Sequence, residues 1–398
     1  VLLGTLLGCH GIPSADDFAP DDDEQGIVVS LRTLDGELVE PSEVQLGGAS
    51  VAVPDSAGFV YFFGVPPGRT PVSAAAPNDE GPTYGHANVA PTELVASRLV
   101  PLPLSWTDGA DATLGVTLAE EGVSVDVPAG ALGLDGLPAI GAFRLGWGVP
   151  GAGDMATIPG DHLGQHDDVD VHPITLDTAF VVQAEDLDGE PLRLLDGTRL
   201  TVTVPLPVHS PLFTADEPRV YSWVHSRGYW VHAAYPVIDA VARTATFEAA
   251  TFGWFGFGGD AGPLGCVVGR ITDGAGTALT GLEVRLEQEG AAAPDRANTV
   301  NGSFCLVASP GTAATLSAVG YASDRSQLFT WSGEATVGDA GTCGGPACSD
   351  LGNVSADTWP DADEDRTFSG PGGDCDDHDR LVNPSSVFGD GSYCGGPL

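Results

Sequence analysis

The sequence predicts an all-β chain, and three observations carry that prediction. Short runs alternate apolar and polar residues and stop at turn dipeptides such as Asp35-Gly36 and Asp273-Gly274. Glycine (55 residues) and proline (31) are abundant, as strand-and-turn proteins require. No capped stretch repeats apolar residues at helical spacing over several turns.

Taken in order, residues 1–9 are a short apolar segment ending Leu6-Leu7-Gly8-Cys9, and residues 10–26 are acidic, proline-containing and without periodicity, a tether. Strand grammar starts with Val28-Val29-Ser30-Leu31 and continues through Val44-Gln45-Leu46 and Phe59-Val60-Tyr61-Phe62, giving a first module over 27–105. A central β-rich module spans 106–260. Its clearest strands are Val123-Ser124-Val125-Asp126-Val127 and Thr201-Val202-Thr203-Val204, which alternate cleanly. Arg219 to Val224 and Tyr229 to His232 flank Arg227-Gly228, a hairpin with its turn at His225 to Gly228. Thr244 to Glu248 and Phe252 to Phe257 complete the module. About 240 residues after the first module its pattern recurs over 263–355, through Val267-Val268, Val284-Arg285-Leu286 and Asn301-Gly302-Ser303-Phe304. Residues 357–398 form an aspartate-rich end.

Charge and cysteine restrict the function classes. With 15 basic and 55 acidic residues the formal charge is −40, and every basic residue is arginine. Such a chain is repelled by nucleic acid and by anionic lipid surfaces. Six of the seven cysteines (Cys266, Cys305, Cys343, Cys348, Cys375 and Cys394) lie in the C-terminal third, without zinc-type spacing, which fits disulfides in an oxidising compartment. Connectivity does not follow from spacing alone. Neighbourhood suggests Cys266 with Cys305, Cys343 with Cys348 and Cys375 with Cys394.

The aspartate-rich end carries the strongest chemical signal. Asp361, Asp363 and Asp365 alternate, and Asp374, Asp376, Asp377 and Asp379 follow; with Glu364, eight carboxylates fall within 19 residues. Carboxylates this close need a counter-charge, and hard oxygen ligands on a flexible loop suit Ca2+. The segment resembles the aspartate-rich metal-binding repeats of secreted bacterial proteins, myxobacterial ones especially, and more distantly thrombospondin type 3 repeats. Glu364 and Arg366 stand where those repeats carry glycines.

Three further resemblances set the expectations. Both outer modules resemble the carboxypeptidase regulatory-like domain, which implies tandem β-sandwiches of transthyretin-like or Ig-like form. Residues 110–258 resemble the β-rich segment of cartilage intermediate layer proteins and netrin-receptor or ankyrin-type modules. The stretch before Cys9 resembles a bacterial lipobox, which implies a diacylglycerol anchor on Cys9 and an outer-membrane lipoprotein, periplasmic or surface-exposed. Val1 is then expected to lie inside a longer signal peptide.

Motifs for catalysis are absent from the sequence: no histidine opens a His-x-x-Glu or His-Glu-x-x-His core, and there is no Gly-x-Ser-x-Gly elbow. Gly146-x-Gly148-x-x-Gly151 fits the dinucleotide expression, but Pro150 and the lack of a following helix spoil it. The expected function is non-catalytic, structural or adhesive, a rigid stalk of modules in series bearing a calcium loop. Two alternatives accompany it. One is a carbohydrate- or peptide-binding module using Trp223, Tyr229, Trp230, Phe252, Trp254, Phe255 and Phe257, of which Trp254 to Phe257 are too crowded to bury every ring at strand period. The other is an accessory hydrolase subunit with Zn2+ or Cu2+ on Asp161, His162, His166, Asp167, Asp168, Asp170 and His172, a set expected in an exposed loop.

Overall fold

The computed structural model describes residues 26–31, 43–46, 50–52, 59–66, 68–75, 83–89, 94–107, 109–120, 122–134, 136–151, 157–160, 163–166, 171–261, 264–288, 295–321, 327–339, 343 and 345–360. Strands dominate them, and the helical segments among them are 3-10 turns such as Pro211–Phe213 and His225–Arg227.

Among the described residues the first module is a sandwich of seven strands. Gly26–Leu31 pairs antiparallel with Phe59–Phe63 and parallel with Leu94–Leu99, forming one sheet. Glu43–Leu46 lies between Ser50–Ala52 and Gly68–Ala75 in the other, and Gly68–Ala75 also pairs with Thr83–Val89. Alternate side chains meet between the sheets: Ile27, Val29, Leu31, Val60, Phe62, Val72 and Val95 form the core.

The third module repeats this connectivity. Gly265–Thr272 pairs antiparallel with Ser303–Ala308 and parallel with Ser349–Ser355. Glu283–Gln288 lies between Asp295–Asn298 and Ala313–Tyr321, which in turn pairs with Gln327–Thr336. An eighth strand, Asp357–Pro360, joins Gln327–Thr336, so the sandwich takes up residues assigned above to the aspartate-rich end.

Two disulfides clamp this module, Cys266–Cys348 and Cys305–Cys343. They correct the neighbour pairings suggested for these four cysteines. The cause is the parallel register, which sets Val267 opposite Ser349 and so brings Cys348 beside Cys266. Cys266 and Cys305 occupy adjacent strands but stand diagonally, Cys266 opposite Val307 and Cys305 opposite Val268. Cys375 and Cys394 lie outside the described residues.

The middle module packs a five-stranded sheet against an eight-stranded one. Leu118, Val125, Val202 and Phe247 from the first meet Phe143, Phe180, Val220, Phe255 and Phe257 from the second. The eight-stranded sheet also buries its other face, where Ile174, Leu176, Tyr221, Trp223, Trp230 and Trp254 form a separate cluster with Leu102 and Ile158. The crowded aromatic run is therefore core throughout, with Trp254 at 3%, Phe255 at 1% and Phe257 at 0% exposure. Successive side chains point to opposite faces, and here both faces are covered.

The modules are not strung out in series. Val28, Phe59 and Ala96, on the outer face of the first sandwich, pack with Leu328 of the third. Leu94–Leu99 is a sheet edge, and its free backbone groups are met by the third module. Ala96 N donates to the Gly281 carbonyl at 2.9 Å, and Asn298 Nδ2 donates to the Ala96 carbonyl at 3.0 Å. Arg98 N donates to Glu283 Oε2 at 2.8 Å, while Arg285 donates to the Arg98 carbonyl. Exposed edges recruit other strands, and this one is closed by a neighbour. The middle module joins too: Arg296 donates to the Ile158 carbonyl at 3.0 Å, and His225 hydrogen-bonds Ser73 at 3.3 Å. The stalk expectation gives way to a folded-back body.

Candidate functional site

Five strands of the middle module close a hydrogen-bonded circuit. Leu163–Gln165 pairs antiparallel with Val171–Asp186 and parallel with Tyr229–Ala234. Tyr229–Ala234 pairs with Arg219–Val224, that strand with Gly253–Asp260, and the last with Val171–Asp186. Trp223, Trp230 and Trp254 are buried towards one end of this circuit. Arg219, Asp260, His172, His166, His232 and Tyr235 gather at the other, because antiparallel register puts Arg219 opposite Gly258 and Ile174 opposite Asp260.

Two polar groups form there. Asp260 Oδ1 is 3.0 Å from His172 Nε2 and accepts from Arg219, which also donates to Glu217 Oε2 at 3.0 Å. Burial alone would raise the Asp260 carboxyl, but Arg219 and His172 outweigh it and hold it below the ordinary carboxylate range. Burial works against the Arg219 charge as well; the hydrogen bonds to Asp260 and Tyr221 prevail and its pKa is raised. The second group is aromatic. The His166 and His232 rings lie edge to face at 4.7 Å, His232 meets Tyr235 at 4.6 Å, and His166 Nε2 is 3.2 Å from the Tyr235 hydroxyl.

A cleft of about 320 Å3 opens beside Asp260, between the middle module and the third sandwich. Asp177 lines it from a β-bulge, where the register with Gly253–Asp260 shifts between Leu176 and Thr178. Opposite, Gly258 leaves room for the bent strand, since a Cβ there would collide with the Thr175 carbonyl. Burial raises the Asp177 carboxyl, partly offset by the Ser210 hydroxyl.

Of the histidine-aspartate set named from sequence, His166 and His172 fall among the described residues. They stand on or beside sheet strands, not in the loop expected for them, and they serve different partners. Asp161, His162, Asp167, Asp168 and Asp170 lie outside the described residues. Among the described residues, no three His, Cys, Asp or Glu side chains converge as a metal site. The calcium candidates Asp361, Asp363, Asp365, Asp374, Asp376, Asp377 and Asp379, and the lipidation candidate Cys9, also lie outside them. Sequence reasoning missed Arg219, His232, Tyr235, Asp260 and Asp177; the alternating Tyr229-Trp230-Val231-His232 run was the one signal that placed His232 on a strand. Of the proposed glycan-stacking rings, Trp223, Trp230, Trp254, Phe255 and Phe257 are buried, so they offer no stacking face. Gly146 of the dinucleotide-like expression sits within the strand Ala142–Gly148, where the Trp106 ring packs on it.

No family model matches the chain, and no curated protein matches it. Among solved structures, BcpA, the major pilin subunit of Bacillus cereus, aligns at 10% identity over 84% of this chain and 99% of its own, with a TM-score of 0.20. The full-length major pilin SpaD from Corynebacterium diphtheriae aligns at 8% identity over 85% and 99%, with a TM-score of 0.19. The Bacillus anthracis TIE protein aligns at 10% identity over 84% and 51%, with a TM-score of 0.17. At these scores the likenesses carry no argument about function.

Proposed function

We propose a non-catalytic structural or adhesive protein of the bacterial cell envelope, held by a lipid on Cys9 and ending in a segment that Ca2+ orders. The observation that carries the structural part is the docking of the first sandwich on the third. Glu283, 3% exposed, sits in that interface between Arg285 and Arg296, and the neighbouring sheet edge is capped. A framework with sealed edges and clamped loops suits a protein that holds shape. The two disulfides agree with export to an oxidising compartment.

The calcium part rests on the alternating carboxylates from Asp361 to Asp379. Metal neutralisation and folding of such a segment are one process. Limited proteolysis of the full chain in EDTA and in excess Ca2+ tests it. We expect cleavage between residues 361 and 394 to be suppressed by Ca2+ alone, and equal cleavage in both would refute the calcium role. Cys9→Ser, expressed with its signal peptide, should move the protein from the membrane fraction to the soluble one.

A further inference from the structure

Val116–Glu120 is the outermost strand of the five-stranded sheet in the middle module, and it pairs with Val123–Val127 over an unbroken register. Other sheet edges are defended. Leu94–Leu99 is capped by the third module, and Ser349–Ser355 faces a register shift and carries left-handed Gly352. Asp357–Pro360 ends in proline, and Val237–Asp239 is only three residues long. Val116–Glu120 has no proline, bulge or basic side chain, and its one charge sits at its end. Thr117, Ala119 and Glu120 are exposed, and Leu114, just ahead of the strand, is 76% exposed. The hairpin fixes which backbone groups look outward. Two residues separate Glu120 from Val123, and a two-residue loop is closed by a pair that exchanges both hydrogen bonds. Alternation then turns the backbone groups of Val116, Leu118 and Glu120 towards Val123–Val127, and those of Thr117 and Ala119 away from the sheet.

We propose that this edge pairs antiparallel with the same edge of a second copy of the chain, about a two-fold axis at Leu118. In that register Thr117 of each copy exchanges both backbone hydrogen bonds with Ala119 of the other, so every outward group of the two strands is answered. Leu118, 8% exposed, meets its symmetry mate on the core side, and the two five-stranded sheets become one. On the outer face the cross-strand row runs Asp126, Thr117, then Ala119 and Ser124 of the second copy, so no carboxylate faces another. The two Glu120 carboxylates lie roughly 14 Å apart along the ribbon, beyond the screening length of about 10 Å at 0.1 M salt. Two-fold self-association needs only one self-complementary patch, which this edge supplies. The pairing requires neither the lipid nor the calcium segment.

Sedimentation equilibrium of the full chain, over a concentration series in low and in high salt, tests it. We expect a reversible monomer–dimer equilibrium that tightens as salt rises, because the net charge of −40 on each copy opposes approach. Hydrogen exchange read at single amides should show Thr117 and Ala119 protected only at concentrations where the dimer forms, with Leu118 protected throughout. Thr117→Pro and Ala119→Pro each delete an outward donor from both copies, at an edge position where proline is tolerated. Each should weaken dimerisation about tenfold or more, the value of the two symmetry-related hydrogen bonds lost, and leave the circular dichroism of the parent. A chain that stays monomeric at every concentration would overturn the proposal, whether or not a foreign extended peptide adds to this edge. So would a dimer that survives both proline variants, a dimer whose Thr117 and Ala119 amides stay unprotected, or one that salt dissolves.

Discussion

The first and third sandwiches share one connectivity and solve one problem in two ways. In each, a three-stranded sheet has an inner face in the core and an outer face that must be covered. The first sandwich covers its outer face with another module, burying Val28, Phe59 and Ala96. At about 1.5–3 kcal/mol for each large apolar side chain, burial of Val28 and Phe59 adds to what the sandwich's own core supplies. The third covers the same face with covalent clamps, since Cys266 and Cys305 both lie on it and tie down the 343–348 connection. One copy is stabilised from outside and the other from within. The internal repeat therefore divides labour: the clamped copy is the base, and the unclamped copy is its dependant.

The docking interface centres on Glu283. Glu283→Ala leaves Arg285 and Arg296 as buried charges without their carboxylate, at a cost of about 3–5 kcal/mol. In urea we expect the parent chain to melt in one step and the variant to lose the first sandwich before the third; an unchanged curve would show that the docking contributes nothing. Removing the Cys266–Cys348 clamp with a double serine variant should cost about 2–4 kcal/mol. That loss should fall on the third module and carry the first with it, which segment-resolved hydrogen exchange can read.

Acid should act in the same direction as Glu283→Ala but less strongly, because protonation leaves the side chain in place. Burial would raise the Glu283 carboxyl, but Arg285, Arg296 and the Arg98 amide hold it below the ordinary glutamate value. A depressed carboxylate contributes stability that is complete above its unfolded pKa and is lost as pH falls through the folded one. Docking should hold at neutral pH and loosen only below the ordinary carboxylate range; loosening that begins near pH 7 would assign the interface to another group. The smallest effect belongs to Asn298→Ala, which removes one neutral donor from the Ala96 carbonyl. We expect about 1 kcal/mol, measured as a shift in the denaturation midpoint.

Much of the fold was legible and little of the docking was. The Arg219–Val224 and Tyr229–Ala234 hairpin was plain because alternation flanks Arg227-Gly228, and the turn falls at His225 to Gly228 with Gly228 left-handed. The repeat was plain because the same turn dipeptides recur at similar offsets. Glu283-Val284-Arg285-Leu286, however, looks like a strand with one solvated face, and nothing local says that another module dries that face. Period-two alternation likewise assumes one covered face, so it misjudged Trp254 to Phe257, which belong to a sheet covered on both. Leu163–Gln165 closes the circuit with only three residues amid Asp and Gly, too short for any pattern. Asp177 is visible only once a bulge is known.

One feature of the sandwich topology bears on how such a module answers force. Gly26–Leu31 and Leu94–Leu99 run parallel over six paired positions, so the chain comes in at one end of the sheet and leaves at the other. Tension applied at Gly26 and Leu99 pulls these strands lengthwise past each other. Their cross-links must then fail together, and no single bond can open first and pass the strain along. Gly265–Thr272 and Ser349–Ser355 repeat the parallel arrangement in the clamped copy, where the Cys266–Cys348 bond would stop the slide altogether.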